Sequence, residues 1–159
     1  DDTIRLRNKY CPQAKISVLS NSTFIHRPKI HEALSKVDNN ILKLDTINAE
    51  YINKVDRPTQ PSYDVNRIIA DIKSFNGQAI IQTMFMKGTT EGGYDVDNTT
   101  EAFVAPWLET IKEIAPREVM IYTIDRETPD LHLQKATHEE LDAIRDRVIA
   151  LGIPCTASY

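Results

Sequence analysis

Ile41-Leu-Lys-Leu-Asp45 is a short β-prone run with two unlike faces. By the two-residue period of a strand, Ile41, Lys43 and Asp45 share one side while Leu42 and Leu44 share the other. Central strands of a sheet covered by helices on both faces are nearly all apolar. A strand with one apolar side, and another turning polar toward its C-terminal end, suits a sheet whose second face lines a polar lumen. Ile80-Ile-Gln-Thr-Met84 repeats this character, with Gln82 as the interruption. The pair predicts a barrel or half-barrel in preference to an open doubly wound sheet.

Outward from these runs, strands and helices alternate. Ile16-Ser-Val-Leu-Ser20 reads as a strand, followed by a helix from Pro28 to Val37 with Ile30, Ala33, Leu34 and Val37 at helical spacing. After Ile41–Asp45 comes the loop Asp56-Arg-Pro-Thr-Gln-Pro61, then a helix opened by Asp64 and stopped near Gly77, with Val65, Ile68, Ile69, Ile72 and Phe75 on one face. The next strand spans Gln78 to Met86. A glycine-containing acidic stretch, Lys87 to Asn98, reads as a mobile loop. A helix carrying Val104, Trp107, Leu108, Ile111 and Ile114 follows, and Pro106 either starts or kinks it. Val119 to Asp125 is the fourth strand. Thr137-His-Glu-Glu140 is a capping box opening a helix with Leu141, Ile144, Val148 and Leu151 on its face. Gly152 ends it, and Ile153 to Tyr159 offers a fifth strand. The first ten residues fit either a strand, from Ile4 and Leu6, or an exposed helix, from their charge. Single helices between strands imply parallel pairing and right-handed crossovers, hence an α/β fold.

Composition narrows the function classes. The chain has 159 residues, which suits a single domain over 1–159. With 19 Lys and Arg against 23 Asp and Glu, the formal charge is −4, which disfavours broad nucleic-acid binding. No apolar run approaches the roughly 20 residues of a membrane span, and no signal peptide opens the chain. The 2 cysteines, Cys11 and Cys155, sit far apart without metal-ligand spacing, as in a reducing cytoplasmic compartment. The histidines, His26, His31, His132 and His138, make no ligand pattern, so no metal site is expected. Asp95 and Asp97 lack the remainder of a calcium loop, and Gly88, Gly92 and Gly93 match no phosphate-binding fingerprint.

Ligands of parallel α/β sheets bind at the C-terminal ends of the strands. Those ends supply Ser20-Asn21-Ser22-Thr23, Lys43 with Asp45, Gln82-Thr83 and Tyr122 through Arg126. Lys43 has three readings: an anchor for a ligand carboxylate, a Schiff-base lysine, or half of an ion pair with Asp45. Asn21 is a ligand contact or turn chemistry. Gln82 either binds a ligand or satisfies its amide within the fold. Arg126 clamps an anionic group or pairs with Asp125 and Glu127 at the surface. Trp107 falls on its helix's apolar stripe and reads as core.

In order, Ile16-Ser-Val-Leu-Ser-Asn-Ser-Thr23, Ile41-Leu-Lys-Leu-Asp45, Asp56-Arg-Pro58, Ile80-Ile-Gln-Thr-Met-Phe85 and Val119-Met-Ile-Tyr-Thr-Ile-Asp-Arg-Glu-Thr-Pro129 form a series. It resembles the later part of the radical S-adenosylmethionine (SAM) superfamily domain, in the iron–sulfur oxidoreductase-like group near the wyosine-forming enzymes. The resemblance implies parallel strands with alternating helices as part of an incomplete (β/α)6 TIM-like barrel, of which this chain would be a fragment with about the last four βα units.

In that family a [4Fe-4S] cluster on Cys-x-x-x-Cys-x-x-Cys reduces SAM to methionine and a 5′-deoxyadenosyl radical, and a Gly-Gly-Glu segment holds the SAM amino group. Neither motif occurs here. The resemblance therefore implies a parent oxidoreductase with SAM, cluster and an electron donor, while the fragment alone is expected to be inactive and to retain at most weak SAM binding. Carried over, Ser20 and Asn21 lie near SAM, Lys43 and Asp45 near its ribose or carboxylate, Gln82 near the ribose and Tyr122 near the adenine. Arg126 would face an unnamed substrate. The alternatives are a non-catalytic ligand-binding or scaffold domain, and a lysine-dependent barrel lyase. Without preceding units the strand near Ile16 is an open edge, through which self-association is expected.

Overall fold

The computed structural model of the chain describes residues 2–60, 62–126, 128 and 130–159. Pro61 of the proline loop, and Glu127 and Pro129 after the fourth expected strand, lie outside the described residues. The elements are α1 (Asp2–Tyr10), β1 (Ser17–Ser20), α2 (Pro28–Ser35), β2 (Asn39–Lys43) and a short α3 (Ala49–Tyr51) that runs into a π-helical turn (Ile52–Asp56). Then come α4 (Val65–Lys73), β3 (Ile80–Met84), β4 (Met86–Gly88), α5 (Glu101–Ile114), β5 (Glu118–Tyr122), β6 (Leu133–Lys135), α6 (His138–Ala150) and β7 (Cys155–Ser158).

The main sheet has 5 strands in the order β1-β2-β3-β5-β7, all parallel. Every strand lies beside its predecessor, so the sheet lacks the reversal that defines a doubly wound fold. Right-handed crossovers then place successive helices on one side, and the core agrees. Leu42, Ile81, Val119 and Ile121 lie on one face by register, in one cluster with Leu34 of α2, Ile68 and Ile72 of α4, Trp107 and Ile111 of α5, and Leu141 and Ile144 of α6. The other face carries Ile41, Lys43, Gln82, Met84, Met120 and Tyr122, outside that cluster. This is a barrel segment whose second face mixes polar and apolar side chains, with β1 and β7 at its edges. Leu19 on the β1 edge is 63% exposed.

Local chemistry sets the boundaries. Asp64 caps α4 by accepting the Asn66 N–H at 2.9 Å, and Thr137 with Glu140 closes the capping box of α6. The charged N-terminal segment is helix, with no buried residue in α1. Its two apolar side chains provide too little surface to hold a strand against the sheet. Pro106 lies inside α5, which begins at Glu101. Leu151 caps α6 and is 36% exposed instead of joining the apolar face.

The Lys87–Asn98 stretch differs most from the loop expected. Its start belongs to β4, paired antiparallel with β6, and Gly88 there combines a φ of 96 with a close approach that no side chain allows, since a Cβ would lie 2.1 Å from His132 O. Asn98 fixes the far end, its Oδ1 accepting the Met86 N–H at 2.8 Å and its Nδ2 donating to Met84 O at 2.9 Å. The stretch is a pinned excursion over the strand ends.

Candidate functional site

The polar face of the sheet converges on the C-terminal end of β2, which is held from several directions. Ser22 donates from Oγ to Lys43 O at 2.9 Å, and its φ of 65 turns the chain back to make that bond. Thr83 Oγ1 and the Trp107 indole N–H both donate to Leu44 O, at 2.8 and 3.2 Å. Asp45 Oδ1 accepts the Met84 N–H at 2.7 Å. Strand end, neighbouring strand and covering helix therefore fix one another, and the side chains of Lys43 and Asp45 emerge from a rigid base.

Lys43 Nζ lies 2.9 Å from Asp45 Oδ2, with the Asp45 side chain only 8% exposed. Burial opposes the charge on Lys43, but the Asp45 carboxylate and the Tyr122 hydroxyl outweigh it and hold the ammonium above its ordinary range. The lysine is thus kept cationic, which suits anchoring and opposes the free amine that Schiff-base chemistry requires.

Around this pair opens a cleft of about 500 Å³, lined by Asn21, Lys43, Asp45, Asp56, Arg57 and Tyr63 among others. That volume is in the range of small-molecule sites, roughly 300–1,000 Å³. The far wall is built by α3 and the π-helical turn. Asn48 caps α3 by accepting the Tyr51 N–H at 3.0 Å, and the Tyr51 hydroxyl donates to Val96 O at 3.2 Å. The turn closes with Arg57 in the left-handed region, φ 47 and ψ 58, its N–H donating to Ile52 O at 2.9 Å. Asp56 lines the cleft from its solvent-exposed side. Partial desolvation by the protein around its carboxyl, with the Asp45 carboxylate nearby, pushes it up to about 7 against the opposing pull of Lys43. Tyr63 is likewise raised, by burial first and then by Asp56 and Asp45.

The expected site residues are not all gathered. Asn21, Lys43 and Asp45 line the cleft. Asn21 Oδ1 also accepts the Thr23 N–H at 3.2 Å, so the turn reading of this residue is present too. Gln82 stands beside Lys43 in register, and Tyr122 beside Met84, both on the polar face deeper or further along the sheet. Ser20 is in register with Leu42, which places it on the helix side, and its Oγ accepts the Ser22 N–H at 3.1 Å. Ser20 thus shapes the turn and does not line the cleft. Arg126 is exposed in a separate depression of about 530 Å³ with Asp125 and Lys135. Asp56, Arg57 and Tyr63 line the cleft as well, although nothing in the sequence marks them as site residues by itself. Their sequence signal was a charged pair before Pro58 just past the second strand.

Cys11 is exposed after α1, and Cys155 lies on β7, where burial pushes its thiol up to about 12. Among the described residues no group of three or more His, Cys, Asp and Glu side chains is placed to hold a metal ion. No helix among them is long and apolar enough to cross a membrane.

No family model matches the sequence. The chain is 30% identical over 116 residues to the UPF0026 protein of Helicobacter pylori strain J99, and 29% identical over 116 residues to that of strain 26695. Each match covers 70% of this chain and 34% of the relative, so the chain spans about a third of the length of these relatives. A radical SAM methyltransferase from Sphaerobacter thermophilus superposes with a TM-score of 0.63 at 15% identity, covering 91% of this chain and 40% of that one. A domain of pyruvate-formate lyase-activating enzyme from Bacteroides vulgatus gives 0.62 at 14% identity, covering 95% of this chain and 86% of that one. These likenesses show the fold: the one-sided parallel sheet is the partial barrel found in the radical SAM methyltransferase.

Proposed function

We propose that this chain is the later part of the barrel of a radical SAM enzyme, and that the cleft over Lys43 and Asp45 forms part of its SAM site. The observation that carries this reading is the clamped, polar end of β2, opening into a small-molecule cleft on the face of the barrel segment turned away from α2, α4, α5 and α6. The residues fit SAM in chemical type. The Lys43 ammonium would hold the carboxylate, and Asp45 and Asp56 would receive hydroxyl or cationic groups. Leu44, Phe24 and Met84 supply apolar surface to the same cleft. Gln82 and Tyr122, on the same sheet face, would extend the site along the lumen.

The residues present do not fit an iron–sulfur cluster. Two separated cysteines, one of them half-buried with a raised thiol, cannot stand in for closely spaced thiolates. The cluster is proposed to belong to residues outside these 159, in a longer cytoplasmic protein that cleaves SAM reductively to a 5′-deoxyadenosyl radical with electrons from a donor. Within this chain the proposed work is to bind and orient.

A SAM titration of the ¹⁵N-labelled chain tests the reading. Amide shifts are expected at Asn21, Lys43, Asp56 and Tyr63. Affinity should rise as pH climbs through about 7, because Asp56 then becomes anionic and meets the positive charge of the ligand. Lys43→Met should weaken binding about tenfold, the scale of one charge-assisted hydrogen bond. Shifts confined to other parts of the chain, or none, would contradict the site.

A further inference from the structure

The π-helical turn separates two clefts. Val55 and Arg57 line the one described above and also a second, of about 800 Å³. Lys54 and Asn53 of the same turn face this second cleft, and Met86, Val96 and Leu133 give it an apolar surface. The remaining lining comes from Thr90, Glu91 and Gly92 and from Thr128 and Asp130, with Tyr94 between.

The turn is an unusual element. π-Helical geometry is rare and often marks functional sites, and the turn is closed onto Ile52 O by a non-glycine residue at φ 47. That backbone fixes where the Arg57 side chain leaves the chain. Its Nε donates to Lys54 O at 3.0 Å, which anchors the stem and leaves both terminal nitrogens without a partner among the described residues. The Lys54 ammonium likewise makes no hydrogen bond or ion pair among them, whereas Lys36, Lys43, Lys73 and Lys87 all pair with carboxylates. Lys54 and Arg57 are the only cations lining the cleft among the described residues. Its acidic groups lie on the other segments: Glu91 donates its N–H to Asp130 Oδ2 at 2.9 Å, tying the two loops together. An anion entering the cleft is therefore directed to the turn, and a guanidinium with two free ends suits planar oxygen groups.

We propose that the second cleft is a ligand site in which Lys54 and Arg57 hold the anionic oxygens of a carboxylate or phosphate, with the ligand's apolar body against Met86, Val96 and Leu133. Naming that ligand the substrate rests on the reading of the adjoining cleft as the SAM site. On that reading the two molecules meet across Val55 and Arg57, and the π-helical turn contacts both.

The test titrates the ¹⁵N-labelled full chain with inorganic phosphate and, separately, with acetate at constant ionic strength, following backbone amides and the Arg57 Nε–H. Saturable shifts are expected at Lys54, Val55 and Arg57, and the anion with the lower Kd identifies the oxygen group. Lys54→Gln combined with Arg57→Asn removes both cations, and asparagine tolerates the left-handed backbone. This variant should bind at least about tenfold more weakly, with its other amide shifts unchanged, and Arg57→Lys should restore part of the loss. Undiminished binding in the double variant, or shifts scattered over exposed lysines such as Lys15 and Lys29, would overturn the proposal. A parallel SAM titration separates the two readings. SAM shifts at Lys43 without anion shifts at Arg57 sink the second site alone, and the reverse keeps the anion site but removes its substrate label.

Discussion

Asp45→Ala is expected to destabilise the chain by about 3 kcal/mol, measured by urea unfolding. The carboxylate is nearly buried and serves two partners, the Lys43 ammonium at 2.9 Å and the Met84 N–H at 2.7 Å. Its removal leaves a sheet-facing cation without a counter-charge and a strand-end donor without an acceptor. The cost falls at the low end for a broken buried pair because the Lys43 side chain is 33% exposed and water recovers part of its hydration. Asp45→Asn keeps an acceptor for Met84 and should cost about half as much. A double-mutant cycle with Lys43→Met should show coupling of about 1 kcal/mol or more. Additive losses would mean that the pair does not hold the strand end.

Trp107→Ala should cost about 4 kcal/mol, the usual scale for deleting a fully buried large aromatic side chain. The indole is 1% exposed, meets Phe85 edge-on at 5.4 Å, and donates to Leu44 O at 3.2 Å. Trp107→Phe removes the hydrogen bond while keeping most of the ring, and Thr83 still serves the same carbonyl at 2.8 Å. About 1–2 kcal/mol is expected for that change. The contrast also bears on the site, since Leu44 sits between Lys43 and Asp45. The alanine variant should weaken SAM binding as well as stability, whereas the phenylalanine variant should leave binding close to native. Loss of binding in both would assign the indole N–H a larger share in setting the strand end than Thr83.

The barrel reading was legible because a period of two separates the faces of a strand, and Lys43 and Gln82 broke the apolar run on the same side. That face is the one turned away from α2, α4, α5 and α6, and the residues sit beside each other in register. Asp64 and the Thr137–Glu140 box marked helix starts because capping chemistry is local. Contacts distant in sequence were harder to read. β6 is three residues long with one apolar side chain, and only pairing with β4 makes it a strand. The left-handed conformation at Arg57 comes from closing a π-helical turn, and no glycine or asparagine advertised it. Asp56 owes its raised proton affinity to partial desolvation and to Asp45, eleven positions away in the chain and brought near only once the turn folds over β2. Ser20 shows the reverse case: it stands at the correct strand end, but its parity sends the side chain to the helix side.

The most direct measurement is the nucleotide sequence of the reading frame that encodes this chain, read upstream of Asp1. A Cys-x-x-x-Cys-x-x-Cys motif followed by a Gly-Gly-Glu-like segment, placed to supply the preceding barrel units beside β1, is the predicted result. An upstream frame without closely spaced cysteines would contradict a radical SAM enzyme and leave the partial barrel as a ligand-binding domain.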